Sequence, residues 1–204
     1  MNSQVISVFI LSLLCTAIST VAMADIEKLK KQCAECHEKD GNSKDKDTPR
    51  IAGLSAAYIK DSIAAYLDDV RPAQNVKRKD KEDTDMKKIA KELKEDEIDA
   101  LAKYFSEQKY KSVDQKFDAD KAGKGAPLHK KFCAKCHEKE GKSPSDDAGF
   151  LGGQHISYME YSMKNYQDGK REMVKKMEVK WKAMHKKAGD EGIEQLIHYY
   201  ASQK

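Results

Sequence analysis

The stretch Cys33-Ala34-Glu35-Cys36-His37-Glu38-Lys39-Asp40-Gly41 returns one hundred residues later as Cys133-Ala134-Lys135-Cys136-His137-Glu138-Lys139-Glu140-Gly141. The register then runs without a gap: Gly53 meets Gly153, Tyr58 meets Tyr158, Tyr66 meets Tyr166, Asp68 meets Asp168 and Arg71 meets Arg171. Toward the end of each half the offset falls to 95, which pairs Ile98, Leu101, Tyr104, Phe105 and Gln108 with Ile193, Leu196, Tyr199, Tyr200 and Gln203. The second half is therefore five residues shorter in the part that corresponds to Arg71–Ile98. Such a repeat implies two homologous units rather than one domain. The polar stretch from Lys109 to Gly125, with Gly123 and Gly125, reads as their join, and the boundary is placed near Asp114.

Within each unit the apolar residues follow a helical period. Tyr58, Ile59, Ile63, Tyr66, Leu67 and Val70 lie along one stripe, and Ile98, Leu101, Ala102 and Phe105 recur at i, i+3, i+4 and i+7. Strand-like alternation is hard to find. The expected class is all-α, with three or four helices per unit joined by long loops such as Asn42 to Pro49 and the charge-dense Gln74 to Asp85.

The first 24 residues carry no Asp, Glu, Lys or Arg, are apolar from Val5 to Val21, and end in Ala22-Met23-Ala24, a small-x-small sequence of the kind cut by signal peptidase. Residues 1–24 are read as an export signal, 25–113 as the first unit and 114–204 as the second. The same stretch is long enough to span a bilayer if it is retained. The remainder, with 35% charged and 7% aromatic residues, is too polar for a multi-span membrane protein. A net charge of +4, from 38 basic and 34 acidic residues evenly mixed, gives no reason to expect nucleic-acid binding.

Of the five cysteines, Cys15 lies in the leader and the others form two Cys-x-x-Cys-His motifs. In this motif the two thiols add across the vinyl groups of haem, and the histidine directly after the second cysteine is placed to ligate iron. A thioredoxin-like dithiol would need a βαβ context, and a zinc site would explain neither the adjacent histidines nor the domain repeat. Two covalently bound haems c are expected, on Cys33 and Cys36 and on Cys133 and Cys136, with His37 and His137 as proximal ligands. A covalent porphyrin also answers a size problem, since it supplies apolar core that so short a unit lacks.

Each iron needs a second axial ligand if it is to transfer electrons without binding small molecules. In the first unit Met86 is the only methionine and His37 the only histidine, so Met86 is the expected ligand. The second unit offers more. Met159, Met163 and Met184 sit at helical core positions, and His129, His155, His185 and His198 read as structural or solvated. Met177 and Met173 remain, on the segment after Gly169, and the longer reach favours Met177, with Met173 as the alternative. Pro49 would give a rigid loop against the first proximal histidine, and its counterpart is Gly149.

Taken together these residues resemble the tandem dihaem class I cytochromes c of the cytochrome c-four family. The features that match are the paired motif, Pro49-Arg50-Ile51-Ala52-Gly53 and Leu151-Gly152-Gly153-Gln154-His155, and Met86 ahead of an Ile-x-x-Leu-Ala-x-Tyr-Phe helix. The second half is also similar to the dihaem cytochrome subunit of flavocytochrome c sulfide dehydrogenase, in Leu128-His129-Lys130-Lys131-Phe132-Cys133, Lys175-Lys176-Met177 and Gly189-Asp190-Glu191-Gly192 before Tyr199-Tyr200-Ala201-Ser202-Gln203. The resemblance implies two tandem class I cytochrome c domains in a bacterial periplasmic protein. It would take electrons from a flavin-binding sulfide dehydrogenase subunit, or from other periplasmic redox proteins, and pass them on without being an enzyme itself. The charged run Lys77-Arg78-Lys79-Asp80-Lys81-Glu82-Asp83 departs from that subunit and puts the partner in question. A free-standing tandem carrier to a terminal oxidase or reductase is the alternative. A haem peroxidase would need one iron without a strong sixth ligand, which the supply of methionines argues against.

Overall fold

The computed structural model describes residues 25–78 and 82–204; the leader and Lys79–Lys81 of the charged run lie outside the described residues. Among the described residues there is no strand, only an isolated antiparallel bridge between Val76 and Thr84. No helix among them is long and apolar enough to cross a membrane.

The first half contains α1 (25–37), α2 (Ala56–Leu67), α3 (Met86–Glu92) and α4 (Glu95–Ser106). The sequence supplies their starts. Ser55 Oγ accepts the Tyr58 N–H at 3.0 Å and Asp85 Oδ1 accepts that of Lys88 at 2.9 Å, each occupying an amide that the first helical turn leaves without a partner. The helices close over Ile59, Ile63, Tyr66, Leu101, Ala102 and Phe105, the buried members of the predicted stripes, while Leu67 of the first stripe is 39% exposed.

The second half repeats this with α5 (Ala119–Leu128), α6 (Ile156–Gln167) and α7 (Lys175–Ala201). Helix α7 is two helices in one, broken at Gly189 (φ 61°, ψ −156°). The 95-residue offset carries Lys94, which separates α3 from α4, onto Gly189. Both halves thus turn at the same place, one through a cap and one through a left-handed glycine. Pro127 has no N–H to give to the carbonyl one turn back, and α5 widens directly afterwards into a π turn, His129–Cys133, closed by Ala134 N–H to the His129 carbonyl at 2.9 Å. Helix α5 crosses α7 so closely that a side chain at Gly125 would run into the Gln195 backbone and Tyr199.

The loops after each Cys-x-x-Cys-His motif are built alike. The Gly41 carbonyl accepts the N–H groups of Ile51 and Ala52 at 2.8 and 3.2 Å, and the Gly141 carbonyl accepts those of Leu151 and Gly152 at 2.8 and 3.1 Å. Gly53 N–H reaches the Phe105 carbonyl at 2.9 Å, and Gly153 N–H the Tyr200 carbonyl at 2.8 Å. Residues 109–118 have no regular structure and are pinned to both loops: Asn42 pairs with the backbone of Lys109 and Lys111, Tyr110 donates to the Gly152 carbonyl, and Val113 N–H donates to the Gly153 carbonyl.

Candidate functional site

Helix α1 ends on Cys33, Cys36 and His37, and the loop that follows turns back over them. A cavity of about 1100 Å³, including its open mouth, is lined there by Cys33, Cys36, His37 and Met86, with Ile59, Ile63, Leu101 and Phe105 among its apolar walls. Met86 comes from the start of α3, on the far side of the sequence from the motif. The His37 imidazole is buried, and its Nδ1 lies 3.0 Å from the Pro49 carbonyl, which accepts its proton and leaves Nε2 with its lone pair available for a metal. Burial holds the His37 pKa below its usual value, against the pull of that carbonyl, so the ring is kept neutral as a metal ligand must be. Burial also pushes the Cys33 thiol up to about 11. None of the four described cysteines is in a disulfide, and no three His, Cys, Asp or Glu among the described residues gather in a way that could hold a metal ion.

The second motif lies where α5 ends. Burial lowers the His137 pKa to about 4. The Gly149 carbonyl, at the place of Pro49, opposes that shift, but the buried Nδ1 does not reach it with the hydrogen-bond geometry that His37 makes to the Pro49 carbonyl. Met159 and Met184, 3% and 2% exposed, lie in the apolar cluster of this half with Ile193, Leu196 and Tyr200. Met173 and Met177 are half-buried; Met177 stands in the first turn of α7, its N–H on the Val174 carbonyl. The 95-residue offset carries Met86 onto Trp181, one turn after Met177, whose ring stacks on His185 at 5.0 Å and whose buried N–H has no partner.

Between the halves lies a cluster that the repeat contained but that had no role assigned from sequence. Arg71 is buried; its guanidinium covers the Tyr66 ring at 4.7 Å and donates to Tyr158 Oη at 2.9 Å. Arg171 covers the Tyr166 ring at 4.5 Å and donates to Ser162. Burial opposes the charge on Arg71, yet Tyr158, Tyr66, Tyr58 and Tyr166 together hold its pKa above the ordinary guanidinium value. Burial pushes the Tyr166 phenol up to about 12. No carboxylate forms an ion pair with either arginine among the described residues. Arg71, a buried cation that lines the cavity, and the partly buried Arg171 beside its cluster suit a group that brings its own carboxylates, as haem does through its propionates.

Gln154 and His155, the latter read from sequence as structural or solvated, also join the halves. Gln154 is 2% exposed; its amide accepts Arg50 N–H at 2.9 Å and donates to the Arg50 carbonyl at 3.0 Å. His155 Nε2 lies 2.9 Å from the Ser43 carbonyl. Arg50 follows Pro49 directly, so the second half holds the loop that supports His37. The signal in the sequence was the identity of Tyr58 with Tyr158 and of Arg71 with Arg171, but Gln154 stands opposite Leu54 and left no trace in the repeat.

The family model described as cytochrome c matches residues 24–109. Cytochrome c4 of Stutzerimonas stutzeri is 30% identical over 153 residues, which cover 68% of this chain and 69% of that protein. The crystal structure of reduced recombinant cytochrome c4 from Pseudomonas stutzeri superimposes with a TM-score of 0.67 at 24% identity, over 90% of this chain and 98% of that one. The "as isolated" thiosulfate dehydrogenase TsdBA from Marichromatium purpuratum superimposes with a TM-score of 0.64 at 22% identity, over 84% of this chain and 36% of that one. The paired motifs, the helical fold and these relatives agree on two cytochrome c domains with haem c on Cys33 and Cys36 and on Cys133 and Cys136, and on electron transfer rather than enzymatic turnover. The chain belongs to the cytochrome c4 family of dihaem class I cytochromes c.

Proposed function

We propose that this chain is an exported two-centre electron relay, with units 25–113 and 114–204 behind a cleaved leader, working in the bacterial periplasm. His37 and Met86 would hold the first iron, and His137 and Met177 the second, with Met173 the alternative to Met177. The observation that carries this reading is the meeting of Cys33, Cys36, His37 and Met86 around one apolar cavity. When bound, haem supplies the one-electron iron couple; the protein fixes its ligands, excludes water from its faces, and offers Arg71 and Arg171 to its carboxylates.

The donor proposed is a flavin-binding sulfide dehydrogenase subunit. The likeness of the second half to the cytochrome subunit of such a complex supports it, and the thiosulfate dehydrogenase neighbour places the same fold beside sulfur chemistry in another protein. Purification of the untagged protein from its native periplasm tests the partner. Co-elution of flavin and a larger subunit supports it, and elution alone with two low-spin haems and no flavin supports the free-standing carrier instead. Replacing Met86, Met177 and Met173 by Ala in turn tests the ligands. Loss of the low-spin spectrum at one haem is expected for Met86→Ala and Met177→Ala; loss in Met173→Ala with Met177→Ala unchanged would move the assignment.

A further inference from the structure

The two halves differ at the sulfur of the first motif cysteine. Cys33 and Leu29 both pack against the apolar cluster of the first half, in which Phe105 is buried. The same places in the second half hold His129 and Tyr200. The equivalence is structural as well as sequential: the carbonyls of Phe105 and Tyr200 accept from Gly53 and Gly153, and a methyl group at Gly41 or Gly141 would lie 3.0 Å from the Phe105 ring or 3.2 Å from the Tyr200 ring. Tyr200 is 5% exposed and lies in the cluster against which Cys133 packs, with its hydroxyl close enough to act on the sulfur. His129, also 5% exposed and set in the π turn, places Nδ1 3.0 Å from the Tyr200 hydroxyl.

Resting on the dihaem reading above, we infer that Tyr200, held by His129, is a positioning residue that raises the reduction potential of the second haem by donating a hydrogen bond to the Cys133 thioether. A thioether sulfur has no proton and only accepts. The phenol proton therefore goes to sulfur, the phenol oxygen accepts from Nδ1–H of a neutral His129, and the two bonds reinforce one another in a low-dielectric setting. The positive end of the O–H dipole then lies at the covalent edge of the macrocycle, where it favours the more electron-rich ferrous state. Hydrogen bonding around the ligated group is one of the means by which a protein sets such a potential. Phe105 has nothing to donate, so the first haem lacks this contribution.

The test is a spectroelectrochemical titration of the full-length dihaem protein, with mass spectrometry to count haems in every variant. In Tyr200→Phe one midpoint falls and the other stays. In His129→Leu the same midpoint falls by less, because the hydroxyl loses its orientation and not its proton. The reciprocal variant, Phe105→Tyr with Leu29→His, raises the other midpoint. Midpoints in Tyr200→Phe that both match the parent, rise, or move together overturn the inference. If Tyr200→Phe fails to load its second haem, the reciprocal variant decides alone, and an unchanged first midpoint there overturns it. Failure of the dihaem reading is distinct, since the unaltered protein would then lack two haems by mass.

Discussion

Replacing Gln154 by Leu, the residue at the equivalent place in the first half, isolates the contact by which one unit holds the other's haem loop. The change keeps the side chain close to its original size and removes two hydrogen bonds, at 2.9 and 3.0 Å, to the two backbone groups of Arg50, and a third at 3.2 Å that Oε1 accepts from the His155 N–H. Each such bond contributes about 0.5–1.5 kcal/mol net, and a buried partner left unsatisfied costs about 1–3 kcal/mol. Arg50 is only partly buried, so water replaces some of what is lost, and a total of about 2–4 kcal/mol is expected. For a chain of this length that corresponds to a fall in Tm of roughly 4–16 °C. The assay is denaturant unfolding of the loaded protein, followed separately by helical circular dichroism and by the haem spectrum. The first haem should be released from its native ligation at lower denaturant than the second, because the Pro49 carbonyl on His37 loses its support from the neighbouring unit. A loss under about 0.5 kcal/mol, or a loss that falls equally on both haems, would refute the reasoning.

Three further outcomes follow from the same geometry. Gly153→Ala forces a side chain onto a residue at φ +74°, with its methyl group 2.5 Å from Ser112 Cβ, and should cost at least about 2 kcal/mol in unfolding experiments, while Gly169→Ala, left-handed but with open space around it, should cost only about 1–2 kcal/mol. Burial lowers the pKa of both His129 and His155, so the unfolded chain takes up protons first as pH falls; the stability these residues contribute is complete above the ordinary histidine value of about 6.5 and is lost below it, and His155→Gln should flatten the fall in unfolding free energy between pH 7 and pH 5. Arg71→Leu removes a buried cation beside the first haem cavity and should lower the first midpoint with both haems still attached, as a potentiometric titration and a mass spectrum would report.

The repeated Cys-x-x-Cys-His motif determined the cofactor, its two attachment points and the helical class, because thioether chemistry needs those residue types at that spacing and amphipathic helices leave a 3.6-residue period in any sequence. Methionine counting singles out Met86 because the first unit has no other methionine, and Met86 lines the cavity with the motif. The same counting could not decide the second half, where Met159 and Met184 fill core, Met173 and Met177 stand half-buried, and Trp181 occupies the register of Met86. How the halves meet was not legible. Gln154 on the Arg50 backbone, His155 on the Ser43 carbonyl and Arg71 on Tyr158 are contacts between residues 87 to 112 positions apart. Periodicity and local propensity carry no information at that separation. Sequence marked Tyr158 and Arg71 as repeated, but only the packing of one unit against the other makes them a buried cationic cluster, and only the π turn after Pro127 sets His129 beside Tyr200. The chemistry of each haem site is thus local and written in the motif, whereas the differences between the two sites arise from long-range contacts that the fold alone brings together.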